Sequence, residues 1–232
     1  MKLRERQKDI LLKIVKDYVA LVQPISSRFL KEKYKLPFSS ATIRSEMQKL
    51  TQEGFLFQPH TSAGRIPTDR GYRVFVDEIL KKGPKEIKLK DYSKEKFEDE
   101  FCFLRFLLRD LSKLSNVFIS VYVEKKKWYF EEGWKEVLKE PEFFQRDCLF
   151  EFTLFVKKIE KAIQKLELNS EIKVWIGREI PFKEGEKFSL ISCKTSLPEF
   201  GKMIISFSGP QRMDYNKNIS ILKSLKEQLN NL

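Results

Sequence analysis

Apolar residues recur at helical spacing through the first third of the chain. In ERQKDILLKIVKDYVALV they form one broad stripe, which predicts an amphipathic helix that ends before Pro24. Ser26 is placed to cap a short second helix that runs through Tyr34. Ser39 is placed to cap a third helix, SATIRSEMQKLTQE, and Gly54 to end it in a left-handed conformation. The pattern therefore predicts three consecutive helices.

The residues after the third helix predict a small hairpin and a fourth helix. FLFQP has the composition of a short strand, HTSAG that of a tight tip, and RIP that of a returning strand. Thr68 is placed to cap the fourth helix, in which Tyr72 and Val76 belong to an apolar stripe. Three helices followed by a hairpin indicate a winged helix-turn-helix domain over residues 1–82, with QPHTSAGRIPT as the wing.

The outer face of the third helix points to DNA. At 100° per residue, Ile43, Met47 and Leu50 share the inward face and Glu46 lies near its edge. The opposite face carries short hydrogen-bonding and basic side chains without an acid, which suits a helix in the DNA major groove. A solvated surface helix is the alternative. The candidate DNA-binding residues of this helix are Ser40, Thr42, Arg44, Ser45, Gln48 and Lys49.

The wing and the second helix supply further candidates. Arg65 brings charge to the wing, Thr61 brings a hydroxyl, and Gly64 is expected to let the backbone approach DNA closely. His60 is interpreted as a surface or phosphate contact, since no nucleophile lies near it in sequence. Arg28 is a candidate on the second helix. The predicted base readers are Thr42, Arg44, Ser45 and Gln48, and the predicted phosphate contacts are Lys49, Arg28, Thr61 and Arg65.

The charge distribution supports a polyanionic partner. Residues 1–82 carry 17 Lys and Arg against 9 Asp and Glu, a net +8, whereas the other 150 residues carry 28 against 24, a net +4. A basic excess concentrated in one domain is typical of nucleic-acid binding. No long basic amphipathic helix favours an anionic membrane instead.

The rest of the chain predicts an α+β domain. The polar segment at residues 83–95 suits a linker, and residues 96–232 then form the domain. A leucine-rich helix near residues 104–111 precedes four strand candidates, and a helix closes the chain. The strand candidates are VFISVYV, IKVWIG, FSLISCKT and KMIISFSG.

One helix of this domain has the spacing of a helix-pair seam. Its apolar residues lie 3 or 4 positions apart between residues 149 and 166, a pattern that suits a homodimer contact. The alternative is that the helix packs on its own sheet. The seam residues are Leu149, Phe152, Val156, Ile159, Ile163 and Leu166.

Several motifs resemble HrcA, the bacterial heat-inducible transcription repressor family. SSATIRSEMQKL and QPHTSAGRIPTDRGYR resemble its N-terminal domain nearly word for word, GPQRMDY is similar to its GPTRMDY, and EEGWKEVLKEPEF is similar to the segment before its last strands. The resemblance implies a GAF-like α+β second domain and a dimeric repressor that binds an inverted-repeat operator ahead of chaperone genes. It also implies a GroE-type chaperonin as partner.

Two positions depart from that family's pattern. IRSEM stands where the family usually reads IRNEM, so Ser45 replaces an asparagine on the outer helix face. LSKLSNVFISVYVE runs almost directly into WYFEEGW, where the family's longer chain carries an inserted dimerisation domain. The resemblance therefore predicts a shortened form with a reduced GAF-like domain. GPQRMDY is interpreted either as a turn and a helix start, in which Arg212 and Asp214 could form a local ion pair, or as a ligand site.

Other functional classes find little support in the sequence. No zinc pattern, phosphate-binding glycine loop or dinucleotide fingerprint is present, so neither an enzyme nor a cofactor is predicted. No apolar run spans a bilayer and MKLRERQKDI has no signal core, which favours a cytoplasmic protein with three reduced cysteines. Two alternatives to a heat-shock repressor are a chaperonin-binding stress adaptor with weak DNA binding and a ligand-controlled repressor of other genes.

Overall fold

The computed structural model describes residues 3–92, 99–168, 171–198 and 200–230. It divides into two units, Met1–Gly83 and Pro84–Leu232. The first unit contains α1 (Glu5–Leu21), α2 (Ser27–Tyr34), α3 (Ser40–Gln52), β1 (Leu56–Phe57), β2 (Ile66–Pro67) and α4 (Asp69–Lys82).

The predicted caps define the starts of three helices. The hydroxyl of Ser26 accepts a hydrogen bond from the Phe29 amide at 3.1 Å, and that of Ser39 accepts one from the Thr42 amide at 3.0 Å. Thr68 caps α4 in the same way. Each hydroxyl satisfies an amide that has no partner inside its helix. Gly54 adopts a φ of 76° after α3, as its position predicted.

The second unit is built on an antiparallel sheet of five strands in the order β4-β3-β7-β6-β5. The strands are β3 (Phe118–Val123), β4 (Trp128–Glu132), β5 (Lys173–Ile176), β6 (Phe188–Leu197) and β7 (Gly201–Pro210). The helices are α5 (Glu100–Ser115), α6 (Trp134–Val137), α7 (Arg146–Ala162) and α8 (Tyr215–Asn230). Short 3-10 turns at Pro141–Phe144 and Ile163–Lys165 flank α7. The predicted fold class, a winged helix-turn-helix domain followed by a GAF-like α+β domain, is confirmed.

Among the described residues, β4 (Trp128–Glu132) is the one strand that the sequence pattern did not predict. It follows β3 through a turn at residues 124–127, in which Lys127 takes a left-handed φ of 54°. Glycine or asparagine usually marks that conformation, and neither occurs in the turn. Val123 pairs directly with Trp128, so the two strands form a tight hairpin at the place where the resemblance implies an inserted domain in longer chains.

The seam predicted on α7 is buried within its own domain. Phe152, Val156 and Ile159 belong to an apolar cluster that also contains Phe118 and Phe188 of the sheet. Ile163 and Leu166 lie in the same cluster, whereas Leu149 is half-buried. The seam is therefore not a dimer contact, and the alternative of packing on its own sheet is correct. The spacing of apolar residues could not distinguish a dimer contact from packing on the chain's own sheet, because both arrangements bury the same stripe of the helix.

The segment before α5 makes contacts within the second unit. The Ile87 amide donates to the Ser224 hydroxyl of α8 at 2.9 Å. Tyr92 is buried, and its hydroxyl donates to Asp110 of α5 at 2.8 Å. These bonds hold residues 84–92, which lie within the predicted linker, while residues 93–95 fall outside the described residues. No helix in the described part of the chain is long and apolar enough to cross a membrane.

Candidate nucleic-acid interface

The candidate interface consists of the outer face of α3 and the tip of the wing, both in the first unit. α3 is anchored on its inner side, where Ile43, Met47 and Leu50 are buried. Its opposite side is thereby turned to solvent. Packing of α1 and α2 against α3 completes the helix-turn-helix.

Arg44 and Ser45 are exposed side chains at the centre of this outer face. Among the described residues, Arg44 makes no ion pair or hydrogen bond, so all of its guanidinium donors are available to a ligand. Gln48 is exposed one turn further along the helix. These three residues form a surface of donors and one positive charge, without an exposed acid on α3.

Lys49 and Glu46 form an ion pair beside that surface. The Lys49 ammonium lies 3.3 Å from a Glu46 carboxylate oxygen, and the Glu46 side chain is largely buried while Lys49 is nearly half exposed. Glu46, the one acid in α3, is thus turned inward and partly neutralised. The outer face keeps a positive potential for this reason.

The start of α3 engages two of the predicted candidates locally. The Thr42 hydroxyl lies 2.9 Å from the Ser39 hydroxyl, so one of its hydrogen-bonding positions is already used. Ser40 is half-buried in the first turn of the helix. Both residues lie at the amino-terminal end of α3, where free backbone amides carry partial positive charge.

Arg65 differs from its predicted role. Its side chain is only 7% exposed, and it donates to Thr51 from Nε at 3.0 Å and to Gln48 Oε1 from Nη2 at 2.9 Å. Burial, and then the neighbouring charge of Arg44, lower the pKa of Arg65. The expectation that Arg65 reaches DNA phosphates is corrected, because its donors are directed into the protein and connect the wing to α3.

Gly64 is also required by the protein itself. A Cβ at this position would lie 2.4 Å from the backbone carbonyl of Ile25. Ile25 and Arg65 form an isolated antiparallel bridge, with N–H···O distances of 2.9 and 2.8 Å. Gly64 therefore permits the wing to approach the chain between α1 and α2, and its expected role in a close approach to DNA stays a prediction.

The wing tip presents two of the candidates to solvent. His60 and Thr61 are exposed at the turn between β1 and β2. The Gln58 amide nitrogen donates to the backbone carbonyls of Thr61 and Ala63 at 2.8 and 3.1 Å, which braces the tip from inside. Gln58 and Thr51 were not predicted as site residues, and their partners are visible only in the folded chain.

Arg28 lies on the exposed surface of α2. Its Nε donates to Glu32 one turn later at 2.8 Å. The hydrogen bond to Glu32, and then the Coulombic attraction of that carboxylate, raise the pKa of Arg28. A solvent-exposed pair of this kind contributes little to stability, so Arg28 can exchange Glu32 for a phosphate at low cost.

The sequence matches a known family over most of its length. Residues 73–219 match the profile of the HrcA protein C terminal domain, which is more than half of the chain. The chain belongs to the HrcA family.

Curated relatives match a third to a half of this chain. The heat-inducible transcription repressor HrcA of Pelotomaculum thermopropionicum is 54% identical over 82 residues, which are 35% of this chain and 24% of that relative. The HrcA of Alkaliphilus metalliredigens is 42% identical over 114 residues, which are 49% of this chain and 33% of that relative. The matched segments thus span a third or less of these relatives, and both are longer than this 232-residue HrcA chain.

A solved structure supports the fold. A crystal structure described as that of a hypothetical protein covers 99% of this chain and 99% of its own, with a TM-score of 0.79 and 24% sequence identity. That similarity concerns the fold alone.

Proposed function

We propose that this HrcA-family chain is a DNA-binding transcriptional repressor of heat-shock genes that binds an inverted-repeat operator and is released on heat stress. The observation that carries the proposal is the unpaired, exposed Arg44 on a helix whose one acid, Glu46, is turned inward. The curated relatives named as heat-inducible repressors support the choice of genes.

The geometry favours different roles for the two parts of the interface. Arg44, Ser45 and Gln48 project from the middle of α3, where a helix in the major groove meets base edges. Thr61 and His60 at the wing tip, with Arg28 and Lys49, are placed to hold phosphates. Thr42 and Ser40 at the start of α3 complete the surface that faces the operator.

The proposed partners follow from two-fold operator recognition and from the family. An inverted repeat presents two equivalent half-sites, which a homodimer occupies with two copies of α3. A GroE-type chaperonin is proposed to keep the repressor active, and the cytoplasm is where it meets chromosomal DNA. The proposal assigns no catalytic activity and no cofactor.

The test compares two duplexes over a salt series. The purified chain is mixed with an inverted-repeat duplex from a chaperone-gene promoter and with a scrambled duplex of equal composition, with and without a GroE-type chaperonin. The mass of each complex is recorded together with its affinity. A two-protomer complex with a strong preference for the inverted repeat, weakened by heating, supports the proposal.

Weak and equal binding of single protomers to both duplexes would contradict it. That outcome would favour the chaperonin-binding adaptor, for which the highly exposed Phe144 and Phe150 offer an apolar surface. The remaining phenylalanines near them do not form a loose domain, since Phe118, Phe152 and Phe188 are buried together.

A further inference from the structure

α7 has a second face that its own domain does not cover. Phe152, Phe155 and Ile159 bury the inner face against the sheet. At 100° per residue, Phe150 and Leu154 fall on the opposite side. The outer stripe consists of Asp147, Phe150, Leu154, Lys158 and Lys161, and all five residues are exposed.

The apolar part of this outer stripe is large for a solvent-facing helix. Phe150 is 63% exposed and Leu154 41% exposed, and Phe144, just before α7, is 77% exposed. Phe144 and Phe150 are the most exposed large apolar side chains in the described part of the chain. An amphipathic helix normally places charged residues here, so the exposed Phe150 and Leu154 indicate a surface for a partner.

The charges of the outer stripe are separated along the helix. Asp147 lies two turns before Leu154, and Lys161 lies two turns after it. Lys158 adds a second positive charge at the same end. Within the described residues, none of these three charged side chains forms an ion pair. The stripe is therefore acidic at one end, apolar in the middle and basic at the other.

This order is complementary to itself in an antiparallel arrangement. When two copies of α7 pack with a two-fold axis at Leu154, Asp147 of each copy faces Lys161 of the other. The two Leu154 side chains then meet at the axis, and each Phe150 packs on the apolar stem of the opposite Lys158. A parallel arrangement would instead place like charges together.

We propose that the outer stripe of α7 is the docking surface for a second copy of this chain, with the two α7 helices antiparallel. The proposal rests on the proposed function, because a homodimer is the form that an inverted-repeat operator requires. It places the contact on the face of α7 opposite the predicted seam.

The surface is small, which determines how the dimer behaves. From Asp147 to Lys161 the helix spans about 21 Å at 1.5 Å per residue. A single helix pair of this length buries less area than a standard stable interface. We therefore expect a concentration-dependent dimer, strengthened when one duplex holds both protomers at high effective concentration.

Charge reversal tests the antiparallel pairing without DNA. The dimer dissociation constant of the full chain is measured by sedimentation for Asp147→Lys, for Lys161→Asp and for the double variant. Each single change should weaken the dimer about tenfold, because symmetry introduces it twice, and the double change should restore it. Lys125→Asp, in the turn between β3 and β4, is the matched control and should leave the dimer dissociation constant unchanged.

Leu154→Glu provides a second variant: it puts a charged side chain at an exposed position, so the fold should stay intact, as circular dichroism checks. It should abolish the dimer, because two carboxylates would meet at the axis. A wild-type chain that stays monomeric at high concentration would overturn the proposal, as would single reversals that leave the dimer unchanged or a double variant that fails to restore it. A monomer that binds a GroE-type chaperonin through Phe150 would overturn it in favour of that partner.

The same variants separate this proposal from the proposed function. If the dimer forms as expected but does not prefer the inverted repeat, the docking surface stands and the repressor proposal fails. If two protomers bind the operator regardless of the changes on α7, the repressor proposal stands and the docking surface is wrong.

Discussion

The Arg65 guanidinium donates to the side-chain oxygen of Gln48 over 2.9 Å. Arg65 lies at the base of the wing and Gln48 on the outer side of α3, so the bond joins the two parts of the candidate interface. With its oxygen engaged by Arg65, the Gln48 side chain keeps its NH₂ group as a hydrogen-bond donor. The wing and α3 therefore form one preorganised surface rather than two independent contacts.

Replacing Arg65 should loosen the wing. Arg65→Ala removes the donors to Thr51 and Gln48, and we expect a loss of about 1–3 kcal/mol in unfolding free energy. Hydrogen exchange of the wing amides should accelerate in the same variant. Arg28→Ala, which removes an exposed arginine paired with Glu32, is the control and should leave the unfolding free energy almost unchanged. Equal stability of the two variants would contradict a structural role for Arg65.

Arg44 and Lys49 should affect operator binding differently. Arg44→Ala removes exposed donors from the centre of α3, so specific binding should weaken by about 1–3 kcal/mol while binding to scrambled DNA changes less. Lys49→Ala should weaken both duplexes alike and reduce the salt dependence, as loss of a phosphate contact does. Affinities for both duplexes across a salt series measure the difference. Equal losses for Arg44→Ala on the two duplexes would exclude base reading.

Arg212 should be a major stabilising residue of the second unit. Its buried guanidinium donates to both oxygens of Glu142, one of them at 2.8 Å, and also to Glu140. Burial would lower the pKa of Arg212, but the bonds to Glu142 and Glu140 raise it. Arg212→Ala leaves two carboxylates facing each other, and we expect a loss of about 3 kcal/mol in denaturant unfolding.

The control for Arg212 is an arginine without such partners. Arg146 is exposed at the start of α7, and Arg146→Ala should leave the unfolding midpoint almost unchanged. An unfolding midpoint for Arg212→Ala equal to that of Arg146→Ala would contradict the prediction that Arg212 stabilises the fold by pairing with Glu140 and Glu142.

Asp110 should make the second unit sensitive to acid. Burial tends to raise the pKa of Asp110, but hydrogen bonds from Lys90 and Tyr92 lower it below its ordinary value. A carboxyl with a lowered folded pKa stabilises the fold above its unfolded pKa of about 4, and this contribution disappears as the pH falls through the folded value. Asp110→Asn should therefore destabilise the chain at pH 7 and have a progressively smaller effect below about pH 4.

The measurement is the unfolding free energy of the wild type and of Asp110→Asn, taken from pH 7 downward. Their difference at each pH gives the contribution of Asp110 to stability. Tyr92→Phe keeps the buried ring and removes one donor, so it should show an intermediate pH dependence. If the difference in unfolding free energy between wild type and Asp110→Asn stayed constant with pH, the lowered pKa of Asp110 in the folded chain would be contradicted.

Local signals in the sequence were sufficient for most elements. Ser26, Ser39 and Thr68 each precede an apolar stripe of helical period, and each caps a helix because the hydroxyl and the first amides are neighbours in the chain. The predicted strands at the centre of the sheet were found by their β-branched content. β4 was not predicted because its turn requires a left-handed conformation at Lys127, and lysine has no preference for that conformation.

The sequence by itself determined the winged helix-turn-helix domain, the α+β class and the outer face of α3, because helix period, caps and short motifs act between neighbours along the chain. Only the tertiary structure decided that Arg65 is buried against Gln48 and Thr51, since these residues lie 17 and 14 positions before Arg65 and meet it through folding. It also decided which side of α7 faces the sheet. An apolar stripe indicates that one face of a helix is buried. Which element covers that face depends on packing in three dimensions.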